Sequence, residues 1–296
     1  MSARWRSLLG IALSVALLAW TLRDIDPARA WAILKGSNYW YFGAASLFGT
    51  LIVPLRALRW RVILAPVATD IPYSLLWRAT AIGVMGNNVL PARAGEFARA
   101  YALSRETPKV SFASAFASLA VDRVFDAFVV LLLMLAAMMA PGFPDLLLAG
   151  HHVRDYVLGG AVVATLALGV LRNPRRFFAV LLWTLAHWLL NGIAFWCAFL
   201  AVGIPAGFGG ALLLQGLIAI GVAVPSAPGF FGVFESIGRA GLGLYGVDPT
   251  LATSWAIGFH LLTYIPITAI GIYYFVELGL HFRDFSKVEE RAEQEA

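Results

Sequence analysis

Apolar residues along this 296-residue chain come in long blocks rather than in alternation, and the blocks set the architecture. Runs at 8–22, 39–55, 118–140, 156–171, 177–202 and 251–276 approach or exceed the roughly 17–25 residues with which a helix crosses a bilayer. Charges punctuate them. Arg4 and Arg6 precede the first run, which resembles a secretory leader but has no small-x-small site to close it, so an uncleaved anchor helix is expected. Arg56, Arg59 and Arg61 follow the second run, interleaved with Leu58 and Trp60, and read as a short amphipathic segment on the membrane surface. Asp122, Arg123 and Asp126 interrupt the third near its start, and Arg172, Arg175 and Arg176 close the fourth.

Two further blocks are apolar enough for helices but are broken in the middle. Residues 72–101 break at Asn87-Asn88-Val89-Leu90-Pro91, and residues 211–244 break at Pro225-Ser226-Ala227-Pro228-Gly229. With the N-terminus inside and six spans alternating, fourteen Lys and Arg residues fall on the cytoplasmic side and four outside. That bias predicts a multi-pass membrane protein with both termini cytoplasmic and Asp145 and Asp248 outside. The broken blocks then become re-entrant hairpins, one from each face, because non-helical backbone at membrane depth survives only where protein or a wet cavity satisfies it. The expected fold is an all-α polytopic membrane protein with about six spanning helices, two re-entrant helical hairpins and an inverted repeat. The rival count is eight full crossings, with Pro and Gly merely kinking long helices. Residues 1–280 form one transmembrane domain and 281–296 a charged cytoplasmic tail.

Composition agrees. Hydrophobic residues make up 60% and charged residues 13%, against roughly 45–50% and about 25% in soluble chains. An ordinary soluble enzyme, a disulfide scaffold and a disordered protein are excluded. The one cysteine, Cys197, allows no intrachain disulfide, and His151, His152, His187, His260 and His281 form no spaced metal motif, so no cofactor is expected. His187 and His260 lie in apolar runs away from the charged motifs and read as helix-packing hydrogen bonders. The net charge of +5 is spread beside apolar spans, which points to anionic membrane lipids and away from nucleic acid.

Ionisable groups at membrane depth are costly and mark function by default. Arg93, Glu96 and Arg99 follow the first break at three-residue spacing; Asp122, Arg123 and Asp126 share a polar patch; Glu235 and Arg239 are four apart in the second hairpin; Arg78 stands alone. Arg93 and Glu96 sit where spare amides, a helix N-terminus and Asn87 and Asn88 converge, a setting for a phosphate headgroup. Glu96 and Glu235 are expected to face one central cavity. The rival reading is that these pairs only brace helices, Glu235 serving Arg239.

The stretch Gly86-Asn87-Asn88-Val89-Leu90-Pro91-Ala92-Arg93-Ala94-Gly95-Glu96-Phe97-Ala98-Arg99, with Arg59-Trp60, Asp122-Arg123-Val124-Phe125-Asp126 and Pro225-Ser226-Ala227-Pro228-Gly229-Phe230-Phe231-Gly232-Val233-Phe234-Glu235, resembles the lysylphosphatidylglycerol synthase transmembrane-domain family, which includes flippase-like membrane proteins of the YbhN-like type. The resemblance implies movement of a modified phospholipid between leaflets. It gives Arg93, Glu96 and Arg99 the first motif's roles, Asp122, Arg123 and Asp126 the second's, and Glu235 the third's. This chain departs from the pattern at Asp122, where the family has a longer acid, and at Phe230, where glycine is usual. No room remains after Leu280 for the synthase module of two-part members, so a separately encoded lipid-modifying enzyme is the expected partner.

The leading expectation is therefore a transporter, without enzymatic activity, of a phospholipid or lipid-linked anionic substrate. An intramembrane lipid-modifying enzyme and a binding or assembly module in envelope lipid synthesis are the alternatives.

Overall fold

The computed structural model describes residues 3–90, 94–140, 143, 147–148, 151–168, 173–224 and 226–281. Its helices are α1 (Ala3–Leu22), α2 (Pro27–Lys35), α3 (Tyr39–Leu64), α4 (Tyr73–Val89), α5 (Gly95–Glu106), α6 (Phe112–Met138), α7 (Val153–Leu168), α8 (Pro174–Val202), α9 (Gly207–Gly221), α10 (Val233–Gly243) and α11 (Pro249–Glu277). A two-residue antiparallel ladder, β1 (Leu147–Leu148) with β2 (His151–His152), precedes α7. Several helices start on one local device. The side-chain oxygen of Asp26, Asn38, Ser111, Asn173 or Asp248 accepts a first-turn N–H, and Pro27, Pro174 and Pro249 follow at positions with no N–H to lose.

Each of the six expected apolar runs is built on a helix, the third running two residues past the end of α6 and the fourth being helical as far as Leu168, with 169–171 outside the described residues. α3, α8 and α11 are each long and apolar enough to cross a membrane, and α1 with α2 forms a pair bent by 86°. α6 has 27 residues, about 40 Å at 1.5 Å per residue. The second run, however, does not end at residue 55. α3 continues through Pro54 to Leu64, and Arg59 and Trp60 are fully buried. The expected surface segment is instead the inner half of a spanning helix, because the acids of α6 give Arg59 partners inside the bundle and Glu96 of α5 faces Arg56, while Arg61 stays exposed.

The two broken blocks form antiparallel hairpins, α4 with α5 and α9 with α10. α5 has 12 residues and α10 has 11, so each reaches less than about 20 Å and falls short of a roughly 30 Å hydrocarbon core. Small residues permit the close approach. A Cβ on Gly86 would lie 2.8 Å from the Gly95 Cα, and one on Gly95 would overlap the Gly83 carbonyl. In the second hairpin, side chains on Gly221 and Gly241 would collide with Ile237 and Leu214.

The packing has an internal two-fold order. α3 lies antiparallel along α8, the Asn38 N–H donating to the Ala201 carbonyl at 2.8 Å. Around that pair, α4 packs on α11 as α9 packs on α6, α5 on α6 as α10 on α11, and α2 on α11 as α7 on α6. The hairpins enter from opposite faces. The base of the first meets the end of α11, where Trp77 Nε1 donates to Tyr274 Oη at 2.9 Å. The base of the second meets the end of α6, Phe143 packing on Tyr245. Arg78 is not alone: it pairs with Glu106 at 3.0 Å and approaches Glu277 at 3.9 Å, clasping the first hairpin to α11. α1 stands outside the repeat and lies on α10, Thr21 Oγ1 meeting Ser236 Oγ at 2.7 Å.

This arrangement puts Lys109, beyond α5, and Asp155, in the first turn of α7, on opposite faces. With Cys197 replaced by alanine, Lys109→Cys and Asp155→Cys should react with an impermeant maleimide from opposite sides of oriented vesicles. Labelling of both from one side contradicts the fold.

Candidate functional site

Two polar assemblies occupy the interior. The first is an ion network where α3, α5, α6 and α8 meet. Arg59, with no exposed surface, lies 2.6 Å from Asp122 through Nε and donates to both oxygens of Asp126 from Nη1 and Nη2, at 2.6 and 3.2 Å. Arg99 Nη1 reaches Asp122 at 3.3 Å while its guanidinium lies 4.1 Å above the Trp60 ring. Arg123 donates to Asp126 at 3.1 Å and to Glu96, and Arg56 stands 4.0 Å from Glu96. Trp188 Nε1 donates to Asp126 at 2.9 Å, and His187 lies 3.9 Å from it. Among the described residues four guanidiniums thus face three carboxylates. The cluster ties hairpin to span, and its one half-exposed cation is Arg123, with 39% of its side chain open.

The second assembly belongs to the second hairpin. Glu235 is 2% exposed; its Oε2 accepts the Gly232 N–H at 2.6 Å and its Oε1 meets His260 Nδ1 at 2.6 Å. Gly232 needs φ = 86° and sits against the Ser14 carbonyl, where a Cβ would overlap, so only glycine fits. Glu96 and Glu235 are counterparts: each opens the second helix of its hairpin and pairs with the twelfth residue of the next spanning helix, Arg123 in α6 and His260 in α11. The repeat keeps the position and exchanges the partner.

Between the hairpin tips lies a cavity of about 270 Å³, lined by Asn88, Asn191, Gln215, His260, Thr263 and Tyr264 and by rings including Trp188, Phe230, Phe234 and Phe259. Asn88 Nδ2 donates to Thr268 at 2.7 Å and its carbonyl accepts from Tyr264 Oη at 3.2 Å, so α11 holds the first tip open to the cavity. Asn191 Nδ2 donates to Gln215 Oε1 at 2.9 Å. Trp188 links the two assemblies, touching the cavity and Asp126.

Of the residues expected at the site, Glu96, Arg99, Asp122, Arg123 and Asp126 are brought together, but in the ion network and not on the cavity wall. Asn88 lines the cavity; Asn87 instead accepts the Gly95 N–H at 3.1 Å and closes the break. Arg93 lies outside the described residues. Neither Glu96 nor Glu235 faces the cavity directly, because each is held by a cation or an imidazole; Glu235 reaches it only through His260. Arg239 is not Glu235's partner: it donates to the Thr21 carbonyl at 2.5 Å and pairs with Asp24 at 3.3 Å, fastening α1. His187 and His260 sit on the acidic motifs rather than away from them. Sequence reasoning also missed Arg56, Asn191 and Gln215; isolated amides inside spans 177–202 and 211–244 were the available signal.

Phe230 is the sole non-glycine with positive φ among the described residues, at 62°. The left-handed conformation costs about 1–2 kcal/mol with a side chain. Phe230→Gly relieves that cost, whereas Phe231, at φ −54°, packs on His260 and Tyr264 with centroids 4.7 and 5.4 Å apart. Thermal unfolding in detergent should show Phe230→Gly less destabilising than Phe231→Gly; the reverse order contradicts the geometry. In the network, Asp126→Ala leaves buried Arg59 with Asp122 as its one carboxylate and takes the acceptor from Trp188 Nε1, and should cost about 3–5 kcal/mol, more than Glu96→Ala at the outer edge. An unchanged unfolding midpoint for Asp126→Ala would show that the network does not brace the bundle.

Comparison with known proteins agrees with these motifs. The family model for the lysylphosphatidylglycerol synthase TM region matches residues 7–172 and 166–271. The chain is 37% identical over 117 residues to the glycosyltransferase AglD of Haloferax volcanii, a match covering 40% of this chain and 19% of that protein. It is 33% identical over 121 residues to a UPF0104 membrane protein of Methanothermobacter thermautotrophicus, covering 40% and 33%. A second UPF0104 membrane protein of that organism is 30% identical over 120 residues, covering 40% and 35%. The matches thus span about a third or less of these relatives' lengths. Since the family model covers most of the chain, this protein belongs to the lysylphosphatidylglycerol synthase TM region family.

Proposed function

We propose that the protein moves a phospholipid or lipid-linked anionic substrate between the leaflets of a bacterial cytoplasmic membrane, as a transporter and not an enzyme. The observation that carries this reading is the inverted pair of hairpins whose tips meet at one central cavity. Inverted repeats with interrupted helices at a central site suit alternating access, one hairpin gating from each face. The arginine-rich face, bearing the ends of α3 and α5, is assigned to the cytoplasm on the positive-inside rule, which places both termini there. Arg123, open beside Glu96, is the described network cation that a substrate phosphate can reach.

An apolar groove of about 520 Å³ between α3, α6 and α8 includes Val62, Val121 and Phe177 in its lining, with Asn173 and Arg176. It suits acyl tails that stay in the bilayer while the head crosses. Anionic membrane lipids and a separately encoded lipid-modifying enzyme are the partners this role calls for.

The test is leaflet exchange of fluorescent phosphatidylglycerol in proteoliposomes, read by dithionite quenching. Wild type should accelerate exchange over empty liposomes. Glu235→Gln loses a charged hydrogen bond to His260 and should slow exchange about tenfold or more while leaving the folded protein intact. Exchange no faster than in empty liposomes, for this lipid and for lipid-linked anions of other head groups, contradicts the proposal.

A further inference from the structure

Glu96 is engaged on one side only. Its Oε1 meets guanidiniums from two helices, Arg123 of α6 in a hydrogen bond and Arg56 of α3 at 4.0 Å, while its Oε2 is buried with no partner. Arg56 is short of a partner too. At 4.0 Å it makes no hydrogen bond to Glu96, and its own Nε is buried without an acceptor. One carboxylate thus serves one fork and leaves the other short. The described network also sets four guanidiniums against three carboxylates, and residues 91–93, which link α4 to α5, include no acid.

Depth gives this shortfall its meaning. Arg123 is the twelfth residue of α6, about 17 Å from its start and so near the middle of a roughly 30 Å hydrocarbon core, yet 39% of its side chain is open. A guanidinium at that depth needs a polar group or water over its open face. The group that fits is an anion with acceptors on more than one side. The charged oxygens of a phosphate ester diverge from one atom, so one takes the Arg123 fork while another reaches Arg56. A second carboxylate would repeat the fit that Glu96 already gives. We infer that Arg56 and Arg123 form a phosphate site, that Glu96 fills it in this structure as an internal stand-in, and that an arriving phosphate displaces Glu96 and unlatches the tip of the first hairpin. The ties of α5 decide which part is freed. Glu96 lies in its first turn, beside the break, whereas Arg99, nearer the base, holds Asp122 through a separate bond. Losing the Glu96 tie releases the tip and leaves the base attached. The inference rests on the transport reading for its physiological meaning, but the exchange of partners is separable from it.

The experiment titrates the full chain in detergent, by calorimetry, with dihexanoyl phosphatidic acid, with dihexanoylglycerol, which lacks the phosphate, and with inorganic phosphate. Wild type should bind phosphatidic acid about tenfold or more above dihexanoylglycerol, the selectivity of one charge-assisted hydrogen bond. Glu96→Gln keeps the shape and removes the competing charge, so it should bind phosphatidic acid about tenfold more tightly than wild type, and Arg123→Gln about tenfold less tightly. A mere brace gives the opposite sign at Glu96, since loosening the site gains nothing. Binding by a folded Glu96→Gln that is equal to or weaker than wild type overturns the stand-in, and equal wild-type binding of the two lipids overturns the phosphate site. Wild type tests the latch with no substitution: phosphatidic acid should speed backbone amide exchange at residues 95–98, and protection there overturns the unlatching. Inorganic phosphate separates the sources. A lipid head group should bind about tenfold or more tightly than it, whereas parity keeps the site and assigns it to free phosphate. Flipping is read separately: a protein that binds phosphatidic acid in this order and exchanges no lipid keeps the site and loses the transport proposal. One that exchanges lipid while Glu96→Gln binds no more tightly loses only the stand-in.

Discussion

Arg59 has no exposed surface, and a guanidinium in that position must be matched by carboxylates or the bundle does not close. Asp122 and Asp126 match it, one on each side. Their spacing in α6 fixes where α3 crosses that helix; Arg99 brings the first hairpin to the same acids, and Trp188 brings α8. Four elements are thereby registered against one another by a few charge-assisted hydrogen bonds. In an apolar surrounding, where packing alone discriminates poorly between registers, directional contacts of this kind select one. The depth of the first hairpin tip, and so the position of Asn88 on the cavity wall, follows from that registration.

The inverted repeat supplies the same skeleton twice and then fills it differently. On the first hairpin's side the conserved geometry, a glutamate opening the returning helix and its partner on the twelfth residue of the next span, is a carboxylate with a guanidinium. On the other side it is a carboxylate with an imidazole, and the imidazole looks into the cavity. The first half is tied through several ion pairs, the second through one acid, one histidine and the docking of α1 by Thr21, Ser236 and Arg239. A transporter of the proposed kind needs gates of this sort, one held more firmly than the other, and a site between them whose chemistry neither gate consumes.

Much of the fold was legible because apolar block length and positively charged flanks report directly on spans, and because Asn-Pro and Pro-Gly clusters report on broken helices. What the blocks could not show was the fate of charges at their ends. Arg56 and Arg59 directly follow an apolar run, which is where surface residues sit; only the distant Asp122 and Asp126 reveal that this stretch is interior. Local spacing misled in the same way at Glu235 and Arg239, where an i,i+4 pair is available but His260 and α1 offer each residue a better partner across the fold. Asn191 and Gln215 meet only through tertiary packing, so the cavity chemistry was not readable from either span alone.

The central claim is that one cavity between two opposed hairpins opens to each face in turn. It is tested most directly by a single cysteine on the cavity wall, Thr263→Cys in a background without Cys197, probed with an impermeant thiol reagent in oriented vesicles. The account predicts labelling from either side, each blocked when the hairpin that gates that same face is cross-linked shut. Labelling from one face only, under every lipid condition that supports exchange, would contradict it.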